Sequence, residues 1–282
     1  MEHNYVATLR QEYLKTMNKK IKNLNKILKE LDSFIVAFSG GVDSTFLLHH
    51  ARTIKIPGLK GITIRTPYIH VHEIEEAVRF AAERKIPHEV IDLTIPEEVI
   101  MNPDDRCYLC KKVLFTTLSE YAMKNGYRYV TDGTNAEDVY EYRPGLRALR
   151  ELGIRSPLME AGLTKQDIRE IARNEGLRIW DKPANACLLT RLPHNVEVEE
   201  VTLRMVEEAE NMLMEKGCPG VRVRVHGNLA RIECLPGFME KIVIHPGKEQ
   251  IIENLKRIGF RFVTLDLEGY KKSNPDNTIR QT

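Results

Sequence analysis

Long apolar runs are missing from this sequence: none approaches the roughly 20 residues that a membrane-spanning helix needs. Charge of one sign is also missing, because 42 Lys and Arg stand against 40 Asp and Glu. A net charge of +2 is too small for a nucleic-acid coat or a membrane-surface protein. Cysteine is scarce at five, an odd number on a chain long enough to build its own core. That argues against a disulfide-stapled scaffold and leaves ligation or catalysis for any cysteines that cluster. The opening Met1-Glu2-His3-Asn4 has neither the basic nor the apolar region of a signal peptide, so a cytoplasmic location is expected.

Hydrophobic residues at 42% and charged residues at 29% exclude a disordered chain. A length of 282 residues suits one α/β domain of ordinary size with a smaller one appended. Apolar residues Leu9, Tyr13, Met17, Ile21, Leu24, Ile27 and Leu31 recur at helical spacing, predicting an amphipathic helix over 7–31. From Phe34 the pattern alternates. Apolar Phe34–Phe38, Leu59–Ile64, His88–Leu93 and Tyr127–Thr131 are separated by helical Ser44–Arg52, Glu73–Arg84 and Lys111–Asn125. Such βα units imply a doubly wound parallel sheet covered on both faces. A helix Lys165–Glu175 capped by Thr164 follows, and Pro183 then forces the chain out of helix.

Beyond residue 190 the reading is a smaller α+β domain. It comprises helix Glu197–Lys216, a hairpin of Val221–Val225 and Leu229–Cys234 around Gly227-Asn228, helix Lys248–Ile258 and strand Phe260–Leu265. The expected organisation is therefore an N-terminal helix (1–30), a sheet domain (31–190), the α+β domain (191–270) and a polar tail (271–282) with little to bury.

The sharpest chemical signal is Ser39-Gly40-Gly41-Val42-Asp43-Ser44, between a predicted strand and a predicted helix. Two glycines permit close backbone approach, while hydroxyls and helix-start N–H groups suit phosphate or pyrophosphate. It is not a Walker A loop, which ends in Gly-Lys-Ser/Thr. The residues resemble the PP-loop of ATP pyrophosphatases, which cleave ATP between its α and β phosphates. Ser39, Gly40, Gly41, Asp43 and Ser44 would then hold ATP. Asp43 would contact Mg2+ on the leaving pyrophosphate, a hard cation that prefers oxygen ligands.

A second signal is Arg106-Cys107-Tyr108-Leu109-Cys110-Lys111, a C-x-x-C opening a helix among basic residues. Such surroundings favour thiolates. A zinc half-site, a redox pair and two inert residues all remain open readings. Cys187, within Trp180–Arg191, falls where the sheet domain is expected to end. Three cysteines without an obvious fourth ligand suit a [4Fe–4S] cluster with one open iron better than closed structural zinc, though spacing alone does not fix the metal. Cys218 and Cys234 read as structural, and Trp180 as core packing.

Taken together, Asn102-Pro103, the C-x-x-C segment, Asp132-Gly133-Thr134-Asn135, Tyr142-Arg143-Pro144-Gly145, Ser156-Pro157-Leu158, Lys165 and Trp180–Arg191 resemble the LarE family. Similarity continues through Val221–His226, Leu229–Glu233 and Thr264–Tyr270. The resemblance implies an ATP-dependent sulfur transferase that adenylates a carboxylate of pyridinium-3,5-biscarboxylic acid mononucleotide and replaces oxygen by sulfur, for the nickel-pincer nucleotide cofactor. It also implies a homo-oligomer, and neither membrane nor nucleic acid is an expected partner. Some members keep only the cysteine matching Cys187 and surrender its sulfur. Others hold a [4Fe–4S] cluster on three cysteines, and Cys107, Cys110 and Cys187 match that type, with Cys187 as the catalytic one beside Asp43.

Arg222 and Arg224 alternate along a predicted strand and so can share a face, either as a clamp for the mononucleotide phosphate or as a solvated strand face. Glu210 and Glu233 match acidic positions tied to a cation in relatives; read from the residues alone, they are a helix-surface glutamate and a hairpin salt bridge. Arg65-Thr66 and Thr190 depart from the family pattern of Asp-Ser and Ser, and the tail lacks a small-residue ending. A tRNA-thiolating or an ammonia-using amide-forming enzyme of the same superfamily, and a zinc-knotted nucleotide sensor, are the competing readings.

Overall fold

The computed structural model describes residues 2–140, 144–183, 185–244 and 247–270. The tail Lys271–Thr282, Ala184 and the Tyr142-Arg143 pair lie outside the described residues. In chain order the regular elements are α1 (Glu2–Leu31), β1 (Ser33–Ala37), α2 (Val42–Thr53), β2 (Gly58–Arg65), α3 (Val71–Glu83) and β3 (His88–Asp92). Then come α4 (Arg106–Lys124), β4 (Tyr129–Thr131), α5 (Gly145–Glu151), α6 (Pro157–Glu160), α7 (Lys165–Asn174) and α8 (Glu200–Glu215). The chain closes with β5 (Arg222–His226), β6 (Leu229–Glu233), α9 (Pro236–Ile244), α10 (Lys248–Ile258) and β7 (Phe262–Leu265). Among the described residues no helix is long and apolar enough to cross a membrane.

Two compact units emerge. The first comprises Met1–Arg65, Val71–Leu93 and Cys107–Ala184. Its four strands pair in parallel in the order β3-β2-β1-β4, the doubly wound arrangement expected from the alternating pattern. Because β4 returns to the far side of β1, the strand order reverses between β1 and β4, and their carboxyl ends define a crevice suited to ligands. One core layer packs Phe34, Val36 and Phe38 against Leu24, Leu28 and Leu31 of α1 and Phe46 and Leu47 of α2. The opposite layer joins Ile35, Ile62 and Ile64 to Phe115 and Leu118 of α4. Alternate residues of β1 thus face opposite cores, which is why the strand reads as unbroken apolar sequence.

The second unit comprises Thr66–His70, Thr94–Arg106 and Asn185–Thr282. Its sheet runs β5-β6-β7, antiparallel then parallel. Gly227 at φ 58 opens the two-residue turn between β5 and β6, a place where a left-handed backbone favours glycine. Val223, Ala230 and Ile232 are buried, as are Leu203, Val206 and Leu213 of α8 and Ile251 and Leu255 of α10.

Three helices escape the hydrophobic pattern. α6 has four residues and α5 seven, too few for a helical period to show, and α9, nine residues that open on Pro236-Gly237, reads from its sequence as a turn.

His50 ties α2 to α1. Its Nε2 donates to Asn25 Oδ1 at 2.6 Å, leaving Nδ1 buried without a hydrogen-bond partner. Burial, with the adjacent His49 second, pushes its pKa down from 6.5 to about 4. The folded state therefore refuses a proton that the unfolded chain accepts, and stability falls as pH drops from about 6.5 to about 4. The expected loss is on the order of 3 kcal/mol across that window. Urea titrations at several pH values check it: His50→Gln should flatten the slope in that range, and an unchanged slope would contradict the assignment.

Candidate active site

The loop joining β1 to α2 lies at the reversal point. Gly40 has φ 72, and a Cβ there would sit 3.1 Å from Glu73 O and 3.4 Å from Ala77 Cβ of α3, so both backbone angle and packing call for glycine. Within the loop, Ser39 N–H donates to Ser44 Oγ at 3.3 Å, the two hydroxyl oxygens stand 3.1 Å apart, and Gly41 N–H reaches Ser39 Oγ at 3.4 Å. No side chain caps α2. Its N-terminal amides and positive dipole end are thus available to an anion.

The loop after β4 approaches from the other side of the crevice. A Cβ on Gly133 would lie 2.7 Å from Ser44 N and 3.2 Å from Asp43 C, so only glycine allows this approach. Across it, Asn135 Nδ2 donates to Asp43 Oδ2 at 3.0 Å. The loop itself is pinned from beneath. Asp132 accepts from Ser156 Oγ at 2.6 Å and from Thr134 Oγ1, and Asp138 accepts from Asn135 N–H at 3.1 Å while pairing with Lys165 at 3.2 Å.

Burial raises the Asp43 carboxyl above its ordinary value, opposed by the Asn135 hydrogen bond; nearby Asp138 adds to the rise, while Lys165 and Arg169 counter it. A half-buried carboxylate with one oxygen held by an amide fits a divalent cation on its other oxygen. Cations also gather at the loop. Lys182 Nζ donates to Gly40 O at 3.1 Å and pairs with Glu76 at 2.7 Å, and Arg169 holds the carbonyls of Trp180 and Lys182 at 2.6 and 2.8 Å. Trp180 itself is not core: it remains 36% exposed, with the Arg173 guanidinium 4.9 Å from its ring centroid.

Cys107 and Cys110 stand one turn apart at the start of α4, the first exposed and the second half-buried. Two thiols on one helix face suit a soft metal. Both belong to the first unit, and Cys187 belongs to the second. Half-buried Cys187 precedes a 3-10 turn, Leu188–Arg191. Cys218 and Cys234 are buried.

On the second unit's sheet, Arg222 lies opposite Glu233 and Arg224 opposite Arg231, all on one face. Arg222 is 8% exposed, donates to Val221 O at 3.0 Å and lies 5.3 Å from the Tyr270 ring centroid. Burial, then the neighbouring Arg191 charge, lowers its pKa. Arg224 donates to Glu233 at 2.5 Å and to Thr190 O at 2.6 Å, and Arg231 reaches the same glutamate at 2.9 Å. Glu233 is thus the hairpin salt bridge read from the residues. Glu210 is no surface glutamate: at 1% exposure it accepts from Arg191 Nε at 2.8 Å and from Val223 N–H at 2.9 Å. Arg65, one of the departures from the family pattern, forks onto Asp92 at the neighbouring strand end.

An uncharacterized protein of Synechocystis sp. is 39% identical to this chain, over 93% of it and 99% of that protein. The pyridinium-3,5-bisthiocarboxylic acid mononucleotide synthase of Lactiplantibacillus plantarum is 32% identical over 269 residues, covering 94% of this chain and 96% of the synthase. This chain belongs to the LarE family. A shorter match, 35% identical over 81 residues, relates 29% of it to 34% of a 7-cyano-7-deazaguanine synthase of Staphylococcus haemolyticus. No protein-family model matches the sequence. Asn102, Asn135, Lys182 and Arg191 all lie inside the motifs that carry the family resemblance, but nothing local in the sequence marks what each of them holds.

Two outcomes follow from this LarE site. Gly133→Ala should drive the two loops apart and cost about 1–3 kcal/mol of stability, with weaker nucleotide binding, measured by thermal melting and calorimetry. Because the folded Asp43 pKa is raised, its charge opposes folding above that pKa, and the opposition fades as pH falls to the ordinary carboxylate range. Asp43→Asn should therefore raise the metal-free melting temperature at neutral pH while removing Mg2+-dependent nucleotide binding. A lower melting temperature would contradict the burial argument.

Proposed function

We propose that this LarE-family protein is an ATP-dependent sulfur transferase that adenylates a carboxylate of pyridinium-3,5-biscarboxylic acid mononucleotide and exchanges oxygen for sulfur to give a thiocarboxylate. The observation that carries the proposal is the paired loop at the β1/β4 reversal, where uncapped α2 amides, Ser39, Gly40, Gly41 and Ser44 meet the Asn135-held Asp43. Such a cradle suits a pyrophosphate leaving group with its cation. The full-length similarity to the L. plantarum synthase supports the substrate class, whereas the 7-cyano-7-deazaguanine synthase match is too short to favour another.

A carboxylate is a poor electrophile, so its oxygen first attacks the α-phosphate of ATP and the bond to pyrophosphate breaks. A sulfur nucleophile then attacks the acyl carbon, and AMP departs with the former carboxylate oxygen. Asp43 would hold Mg2+ on the leaving pyrophosphate, where the ion would supply charge neutralisation, and the Ser44 hydroxyl would donate to the pyrophosphate itself. Arg222 and Arg224 are proposed to receive the mononucleotide phosphate as charge-assisted donors; both already hold backbone carbonyls, so they are ordered in advance. Cys187 is proposed as the sulfur-handling cysteine, with Cys107 and Cys110 as further soft ligands for a [4Fe–4S] cluster that would carry an added sulfide.

Pyrophosphate release dependent on the pyridinium mononucleotide tests the activation half. Asp43→Ala should lower it by about a hundredfold or more, and near-normal release would contradict the role. For the sulfur half, anaerobic protein should contain iron and sulfide. Cys107→Ser, Cys110→Ser and Cys187→Ser should each bleach it and stop thiolation. Dehydroalanine at Cys187 after one turnover, with Cys107→Ser still active, would instead assign a sacrificial cysteine.

A further inference from the structure

One buried side chain makes the most hydrogen bonds to the segment that carries Cys187. Arg191 is 2% exposed, and each of its guanidinium nitrogens has at least one acceptor. Nε donates to Glu210 Oε1 at 2.8 Å and Nη2 to Glu210 Oε2 at 3.1 Å. Nη1 faces Ala186 O at 3.0 Å, Cys187 O at 3.3 Å and Thr190 Oγ1 at 2.7 Å, and Nη2 also reaches Asn185 Oδ1 at 3.5 Å. The arginine folds back over its own preceding turn and holds the carbonyls on either side of the Cys187 nitrogen and Cα.

Other contacts make the turn rigid. Thr190 Oγ1 donates to Cys187 O at 2.8 Å, so that hydroxyl both accepts from Arg191 and passes the constraint to the cysteine. Arg224 holds Thr190 O, and Leu188 N–H donates to Tyr68 O at 2.9 Å. Asn102, fully buried with φ 47, spreads its amide over the carbonyls of Leu189, Leu192 and Pro193 at 3.2, 3.2 and 2.8 Å. On the far side, Glu210 is itself fixed by Val223 N–H of β5.

We propose that Arg191, anchored by Glu210, is a positioning residue that sets the backbone and thereby the thiol direction of Cys187, with Thr190 as the relay. Lysine does not substitute, because a single ammonium cannot span both the Glu210 carboxylate and the 186–187 carbonyls as a planar fork does. Threonine and serine are equivalent at the relay, since only the hydroxyl is used. This inference rests on the reading of Cys187 as the sulfur-handling residue.

The test follows alkylation of Cys187 by iodoacetamide in the full chain freed of metal by a chelator, with Cys107 as internal reference and peptide mass spectrometry as readout. Thr190→Val and Arg191→Lys should raise the Cys187-to-Cys107 rate ratio by several-fold, on the order of threefold to tenfold as the turn opens locally. Thr190→Ser should keep the wild-type ratio. Wild-type ratios in both Thr190→Val and Arg191→Lys, or a Thr190→Ser ratio equal to that of Thr190→Val, would overturn the proposal. If Arg191→Lys does not fold, the Thr190 pair alone decides. Thiolation that survives Cys187→Ser would remove the parent reading, yet the alkylation ratio would still report whether Arg191 and Thr190 hold that turn.

Discussion

The first unit depends on one close approach: the loop after β4 lies against the start of α2 with no room for a Cβ at Gly133. From it follow the Asn135–Asp43 hydrogen bond, the burial that raises the Asp43 carboxyl, and an α2 N-terminus that faces the crevice uncapped. Parallel β1 and β4 bring the two loops to the same end of the sheet, and the Asp132–Ser156–Thr134 cluster keeps the second loop from retreating. For the pyrophosphate proposed to bind there, loops fixed in this way would need little reorganisation, the condition under which fixed dipoles stabilise developing charge best.

The second unit adds to its apolar core a buried charge pair. Arg191 and Glu210 form a buried pair whose every strong valence is used, and removing one partner alone would strand the other. Such pairs add little net stability compared with apolar residues of similar size. Their value here is geometric, because the guanidinium fixes carbonyls that flank Cys187. Arg224 shows the same economy, bridging Glu233 and the Thr190 carbonyl while remaining partly exposed.

Most of the framework was legible in the sequence because strands buried on both faces leave apolar runs, and amphipathic helices such as α3 and α7 leave a helical period. The Ser39–Ser44 loop was legible for a different reason: its glycines and hydroxyls are adjacent in sequence. What the sequence does not reveal is long-range. Asn135 and Asp43 are 92 residues apart, and no local pattern pairs them. Glu210 reads as a surface residue because neighbouring glutamates surround it in α8, yet its carboxylate points inward to an arginine 19 residues earlier. Arg191 closes the Trp180–Arg191 motif, and nothing local marks Glu210 as its partner. α6 was hidden because its four residues lie below the length at which periodicity exists.

In the proposed reaction ATP activates a substrate carboxylate by AMP transfer before sulfur arrives. Labelling both oxygens of that carboxylate with heavy oxygen and analysing the nucleotide product by mass spectrometry tests it directly. One labelled oxygen should appear in AMP for each thiocarboxylate formed, since the carboxylate oxygen leaves on the α-phosphate. Unlabelled AMP, or ADP as the nucleotide product, would contradict it.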